Sequence, residues 1–499
     1  MVKITEVNDQ NPWWSQGVEF ARYDKSLSKA QPVFFERRKI EPKKGNIHIL
    51  RGPRQVGKTT YLKDFARKLI ASRVSPTRDI LYLSLGFFIS RRELRNAINY
   101  FLDSRRDADE VYLLLDEITS LEDWNLELKY VADHGILKRG LILATGSSAV
   151  KLKEKGELIP GRGLEGNEHY IKPLSFREFA IQSIDFLSQH LTQNEFRHTL
   201  MELKSALSLC ILDLDSETNE IRREVEKILP FEGGLAYLFR IYLTTGGLPG
   251  VINHYFSHRY LQQKDMIGSA VAEIFVRDVL GDMARFQKQE ATTRQILRAI
   301  VERYGSRYSF SNLSREIEKT HVTAIDYLQF MEDSFICFVL YAYDFNKKNI
   351  KSKGDKKVCF FDPFIFHSAR SYLGGKEIWD IITGSLEDED LLGKLVEGVV
   401  ISHLRMYGEI PLMKAGNTFL WFYYDKSGKE IDAILKEHKG YSGYEVKYRG
   451  NIDERGVKRI SPLKRYFLLS KEDVGSNEKI MIVPVDIFLA LLPISENNI

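Results

Sequence analysis

Apolar positions along the chain change their rhythm several times. From Asn46 to about Ser175, short apolar runs alternate with stretches of helical spacing; the runs are Ile47–Leu50, Ile80–Leu85, Val111–Leu115, Leu141–Ala144 and Tyr170–Leu174. A strand buried on both faces reads as a continuous apolar run, so this alternation predicts a parallel sheet covered by helices. Residues 176–290 instead carry helical spacing, as in Phe196–Leu212 and Ile221–Ile228, and predict a helical region. Residues 291–370 predict three helices (291–305, 309–319 and 322–338) and then two strand-like runs joined by a lysine-rich loop, the pattern of a winged helix–turn–helix. The acidic stretch 383–393 reads as a linker. A helix over 391–408 then precedes strand runs at 419–424, 430–437, 443–448, 465–470 and 480–485, a separate α/β module.

Composition narrows the class. The chain has 499 residues, 43% hydrophobic and 28% charged, which favours several globular domains over disorder. Lys+Arg number 72 and Asp+Glu 68, a net charge of +4, so any basic surface must be local. Three scattered cysteines, Cys210, Cys337 and Cys359, make no disulfide framework or zinc ribbon. With no apolar leader and no run long enough to span a bilayer, a reducing, cytoplasmic setting is expected.

The first chemistry is a loop. Gly52-Pro53-Arg54-Gln55-Val56-Gly57-Lys58-Thr59 matches G-x-x-x-x-G-K-[ST], with Thr60 following, a strand leading in and a helix leading out. Such a loop turns backbone N–H groups toward phosphate oxygens. Lys58 is expected to reach the β- and γ-phosphates and the Thr59 hydroxyl to ligate Mg²⁺. The run VYLLLDEI ends in Asp116, placed to hold the Mg²⁺ shell, and Glu117, placed to polarise the attacking water. The next strand ends in Thr145, Ser147 and Ser148, where a hydroxyl can sense the γ-phosphate or simply cap a helix. Arg162, in Pro160-Gly161-Arg162-Gly163, is either a transition-state finger or a solvated arginine. ATP or GTP binding is the expected outcome.

GPRQVGKTT, LLLDEI, LATGSSA, PGRG, YIKPLSFREF and TTGGLPGVI occur in that order. This resembles the prokaryotic AAA-superfamily ATPases that pair an ATPase domain with a poorly characterised C-terminal region of the DUF4143 type. The resemblance covers nearly the whole chain. It implies a P-loop sheet of the ASCE/AAA type with a helical lid, and ATP with Mg²⁺ as cofactors. It makes Glu117 the catalytic acid, Ser147 part of the sensor-1 region and Arg162 an arginine finger. Gly246-Gly247-Leu248-Pro249 resembles a Gly-x-Pro element near the adenine, with a plain helix-breaking turn as the alternative. A finger needs a neighbour, so the resemblance also implies a homo-oligomer, with a hexameric ring as one form it could take.

Two later constellations follow. The expected recognition helix, Val322–Phe335, offers Asp326, Glu332 and Asp333, which repel phosphate. The loop 346–357 holds six lysines (Lys347, Lys348, Lys351, Lys353, Lys356 and Lys357) against Asp355. It either contacts DNA phosphates or stands in water. In the last module, Glu397 on a helix, Asp432 on one strand and Glu445 with Lys447 on the next resemble the PD-(D/E)xK nuclease superfamily, with Ile431 replacing the usual proline. That resemblance implies a restriction-endonuclease-like fold. Asp432 and Glu445 would ligate Mg²⁺ or Mn²⁺, and Glu397 and Lys447 would assist a polarised water. The fold also occurs as a binding module.

The expected organisation is an N-terminal extension (1–45), a P-loop core (46–180), a helical lid (181–290), a winged helix (291–372) and a nuclease-like domain (373–499). Two functions fit. One is an ATPase acting on DNA and coupled to a metal-dependent nuclease. The other is a nucleotide-switched regulatory ATPase whose later domains only bind partners or DNA.

Overall fold

A computed structural model describes residues 4–28, 31–37, 40–74, 76–88, 90–146, 167–264, 266–285, 288–407, 419–450, 452, 460, 462–477 and 479–493. The chain forms two compact units, divided after Lys172.

The first unit is a five-stranded sheet: β1 (Ile47–Arg51), β2 (Ile80–Ser84), β3 (Val111–Asp116), β4 (Gly140–Gly146) and β5 (Glu168–Tyr170). Its order is β2-β3-β4-β1-β5 and every pair is parallel. The apolar runs are continuous because both faces are covered. Ile47, Ile49, Leu113, Leu115 and Ile142 pack on one side, and Leu50, Leu114, Leu141 and Leu143 on the other. The strands are in register at their C-terminal ends, Ser84 beside Asp116 and Arg51 beside Gly146. Ligands of such sheets bind at that edge.

The N-terminal extension has a structural task. Strand β2 lies at the edge of the sheet, and Asn11 exchanges two hydrogen bonds with the backbone of Tyr82, at 2.6 and 2.9 Å. Trp13 and Trp14 both donate their indole N–H to Ile80 O, at 3.1 and 2.9 Å. The extension therefore occupies backbone groups that a bare edge would offer to another chain.

The second unit runs from Pro173 to Asn497. Its helices include Phe176–His190, Asn194–Leu209, Thr218–Ile228, Glu232–Thr245 and Pro249–Phe256. Three further helices, Glu290–Glu302, Phe310–Glu316 and His321–Asp333, precede an antiparallel hairpin of β6 (Cys337–Tyr341) and β9 (Lys356–Phe360), in the order the sequence predicts. Between them lie the short strands β7 (Tyr343–Asp344) and β8 (Asn349–Ile350). Helices Pro363–Gly374, Ile378–Glu387 and Glu389–Tyr407 follow, so the expected linker is mostly helical. The last sheet contains β10 (Leu420–Tyr424), β11 (Glu430–Glu437), β12 (Gly440–Lys447), β13 (Leu463–Ser470), β14 (Gly475–Ser476) and β15 (Ile480–Pro484). Its order is β10-β11-β12-β13-β15-β14; β12, β13 and β15 run parallel and the other pairs are antiparallel.

Within the second unit, the helices after 175 pack on the C-terminal region. Arg177 donates to Ala490 O (2.7 Å) in the final helix, Val485–Leu491, and Leu212 N donates to Leu491 O (2.9 Å). His403 Nε2 accepts the Phe176 N–H at 2.8 Å. Helical periodicity exposes an apolar face without naming its partner, and here the partner is the C-terminal region. No single helix among the described residues is long and apolar enough to cross a membrane. One bent pair of suitable composition, Thr218–Thr245 with Pro249–Leu261, is broken by 112°, and its Leu235, Leu238 and Phe239 are core residues.

Candidate functional site: a nucleotide edge and a lysine-filled carboxylate cluster

The loop after β1 delivers the P-loop to the C-terminal edge of the first sheet. Gln55 and Gly57 take left-handed backbone angles, φ 61° and 96°. At Gly57 this turn leads directly into the helix Lys58–Ala71, whose N-terminal amides face the loop. Val56 is fully buried and its carbonyl accepts from Arg37 Nη2 at 2.8 Å, which anchors the loop's far side. Lys58 Nζ donates to Gly52 O and Pro53 O, at 2.9 and 2.8 Å, so its ammonium spans the mouth of the loop. Arg54 and Thr60 are half-buried in the same turn and first helical residues.

Thr59 and Asp116 are brought together as expected: Thr59 Oγ1 donates to Asp116 Oδ2 at 2.7 Å. Strand β4, inserted between β1 and β3, adds Thr145, whose hydroxyl donates to Asp116 Oδ1 at 2.5 Å and accepts the Glu117 N–H at 3.0 Å. Of the three hydroxyl residues ending that strand, Thr145 is the one described. Ser147 and Arg162 lie outside the described residues, so the sensor and finger assignments stand as expectations. Tyr82, which the sequence offers only as a core aromatic, donates to Asp116 Oδ2 at 2.8 Å. Burial beside Asp116 raises its phenol far above the usual range.

Asp116 is thus a carboxylate 3% exposed whose hydrogen-bond donors are three hydroxyls. Among the described residues no ammonium or guanidinium forms an ion pair with it. A hard, oxygen-preferring cation suits that donor set, so the residues fit Mg²⁺, which Thr59 and Asp116 would hold. Glu117 adopts a left-handed backbone, φ 55°. A non-glycine residue holds that angle only where its surroundings impose it. Here the Thr145 hydroxyl fixes its amide and Ser120 Oγ reaches its carboxylate at 3.3 Å.

Pro249 opens the Pro249–Phe256 helix, and the preceding turn wraps a buried acid. Asp362 Oδ2 accepts the Gly247 N–H at 2.7 Å and Oδ1 accepts the Phe364 N–H at 2.8 Å. Burial pushes the Asp362 carboxyl up to about 7 against those bonds. A Cβ at Gly247 would stand 2.7 Å from Leu174 N and nearer still to Leu174 O. Packing within the second unit therefore demands glycine at position 247.

The C-terminal constellation converges, but on a lysine. The register Ala433↔Tyr444 sets Asp432 beside Glu445, and Asp432 Oδ2 accepts the Val446 N–H at 2.9 Å. Lys357 on β9 places Nζ 2.6 Å from Glu397 Oε1 and 3.3 Å from Asp432 Oδ1, and it also pairs with Glu430. Lys447 Nζ meets Glu445 Oε1 at 2.7 Å, as their two-residue spacing allows. Burial raises both the Glu397 and Glu445 carboxyls despite these ammonium partners. The four residues expected to serve a nuclease, Glu397, Asp432, Glu445 and Lys447, therefore lie together. Asp432 and Glu445 each face an ammonium, Lys357 and Lys447 respectively. Among the described residues no group of three or more His, Cys, Asp or Glu is arranged to hold a metal ion.

The expected lysine wing shrinks accordingly. Lys356 is buried and donates to Ser352 O and Gly354 O, both at 2.7 Å. Lys351 donates to Tyr424 O at 3.1 Å and covers that ring. Lys347, Lys348 and Lys353 remain exposed. The helix His321–Asp333 also differs from expectation, since Glu332 pairs with Arg405 at 2.8 Å and Asp333 is buried. Its exposed face is Val322, Ile325, Asp326 and Gln329.

Residues 44–180 match a family model described as an AAA domain. Residues 237–375 and 392–488 match two domains of unknown function, DUF8612 and DUF4143. An uncharacterised protein of Methanocaldococcus jannaschii, MJ1637, is 26% identical over 360 residues, covering 70% of this chain and 67% of that protein. Among solved structures, the Aeropyrum pernix ORC1 protein in complex with DNA aligns with 74% of this chain and 93% of its own at 13% identity and a TM-score of 0.32. The replication initiator DnaA bound to AMPPCP and single-stranded DNA aligns with 65% of this chain and 89% of its own, at 16% identity and a TM-score of 0.26. The family match and the strand order, rather than these low overall similarities, identify residues 44–180 as a P-loop ATPase domain of the AAA type.

Proposed function

We propose that this protein is an ATP-driven switch whose second unit binds partners and does not cut nucleic acid. The observation that carries the first half is Asp116, a buried carboxylate coordinated by hydroxyls alone, with Glu117 held beside it. ATP–Mg²⁺ would lie along Gly52–Thr60, with Lys58 on the β- and γ-phosphates. When bound, the metal supplies charge neutralisation of the phosphates. Glu117 orients water and takes its proton, and Thr145 keeps Glu117 aimed. Purified protein should turn over ATP in the presence of Mg²⁺ and stop when Mg²⁺ is chelated; a rate no higher than that of the Lys58→Ala variant overturns this reading.

Arg162 is proposed to complete the site from a neighbouring copy, in a ring or smaller oligomer. Arg162→Ala and Glu117→Gln subunits, each inactive alone, should regain part of the parent turnover when mixed. A monomer with full activity would remove the need for that neighbour.

The second half rests on Lys357. With its ammonium among Glu397, Glu430 and Asp432, the coupling of ATP turnover to nuclease chemistry gives way to the switch reading. DNA remains a proposed partner at the hairpin tip, through phosphate contacts of Lys347, Lys348 and Lys353. Each contact lowers log affinity by about 0.9 per unit of log salt, so replacing all three with serine should flatten the slope by at most about 3. Equal slopes and affinities for a labelled duplex would leave those lysines to water.

A further inference from the structure

Two acidic centres, Asp116 in the first unit and Glu397, Glu430 and Asp432 in the second, are compensated in opposite ways. Asp116 meets hydroxyls, which leave room for a cation to arrive. Glu397, Glu430 and Asp432 meet an ammonium already supplied by the chain. Lys357 retains 3% of its side-chain exposure, while Glu397 and Asp432 each retain 15%, so the lysine is the inner member and the carboxylates form the rim. Its strand fixes it there: β9 pairs with β6 in a register that sets Lys357 opposite Leu340. The ring of Phe422 lies 5.8 Å from the ammonium. On the far side, Arg307 approaches Glu430 Oε2 at 3.8 Å and covers Tyr424.

A divalent cation needs carboxylate oxygens about 2.0–2.6 Å from one point. Here that point holds a nitrogen at hydrogen-bond distance from the same oxygens, and a remaining Asp432 oxygen is turned toward the Val446 amide. An ammonium and a metal ion cannot share the position, because like charges so close in a low-dielectric pocket repel by several kcal/mol.

We propose that Lys357 stands in for the divalent metal of a nuclease-like centre: the C-terminal module carries its own cation, binds no metal there, and uses the cluster to clamp the β6–β9 hairpin onto the last sheet. The carboxylates are retained for the lysine. This deepens the second half of the switch reading, which rests on the same lysine, while the ATP half is tested separately because the proposed nucleotide site lies in the other unit.

The test uses the full chain without nucleotide and Mn²⁺ alone as the probe, with free Mn²⁺ followed by its electron paramagnetic resonance signal. The parent and Asp432→Asn proteins should bind the same number of ions up to about 1 mM, because any ion held near Asp116 is common to both. Lys357→Gln should gain one ion with at least tenfold higher affinity than any parent site in this module, and the gain should vanish when Asp432→Asn is added. An ion bound by the parent and lost in Asp432→Asn overturns the proposal. So does a folded Lys357→Gln protein that gains nothing, since the carboxylates would then never form a metal site. If Lys357→Gln does not fold, the parent and Asp432→Asn titrations decide alone. ATP turnover is measured in parallel, and its loss would count against the switch reading and not against this one.

Discussion

Glu117→Gln is expected to bind ATP as the parent does and to turn it over at least about a hundredfold more slowly, the usual scale for removing a general base. The reason lies in how the site is built. On the proposed reading Mg²⁺ would be held by Thr59 and Asp116, which share a hydrogen bond, and the phosphates by the loop and Lys58, so the substitution disturbs neither. Glutamine has the same shape and keeps the left-handed backbone, with the backbone N–H of residue 117 still on Thr145. It cannot accept the proton of the attacking water. Equilibrium binding of a fluorescent ATP analogue and steady-state phosphate release separate the two effects. A parent-like rate would show that Glu117 is a strand-end residue without a catalytic role.

The second large effect is on stability. Lys357→Met removes the only ammonium that Glu397, Glu430 and Asp432 share among the described residues, while filling the same space with an apolar chain. Breaking a buried pair costs roughly 3–5 kcal/mol, and the residual exposure of the carboxylates places this case at about 3. The pH dependence has a definite sign. Burial already lifts the Glu397 carboxyl above its ordinary 4.5 with the lysine present. Without the lysine it rises further. A raised carboxyl binds its proton more tightly folded than unfolded, so its stabilising contribution is complete below about pH 4.5 and is lost as pH rises through the folded value. The gap between parent and variant should therefore be small near pH 5 and widest near pH 8, read from urea midpoints of the second unit. A gap independent of pH would mean that Lys357 contributes packing and not charge.

Much of the first unit was legible because its physics is local. Strands buried on both faces write themselves as unbroken apolar runs, and Gly57, Lys58 and Thr59 are consecutive. The second unit was less legible because its chemistry is assembled from distant positions. A Lys-Lys doublet in a charged loop reads the same whether its side chains stand in water or under a sheet. Nothing near Lys357 announces partners 40 and 75 residues away. Tyr82 was hidden for the related reason that an aromatic in a strand is ordinarily core; its hydroxyl becomes informative only once β2 is set beside β3. Glu332 and Asp333 misled in the other direction. Helical spacing placed them on an exposed face, and only the tertiary contact with Arg405 withdraws the first of them from solvent.

Because the cation comes from β9 and its anions from the Glu389–Tyr407 helix and β11, the centre has no single owner along the chain. A cut anywhere between residues 358 and 396 leaves one piece with a buried ammonium and the other with three carboxylates, and neither piece can neutralise itself. The hairpin and the last sheet are then obliged to be inherited, exchanged and expressed together. A shuffled descendant that keeps one without the other would have to lose the charges as well.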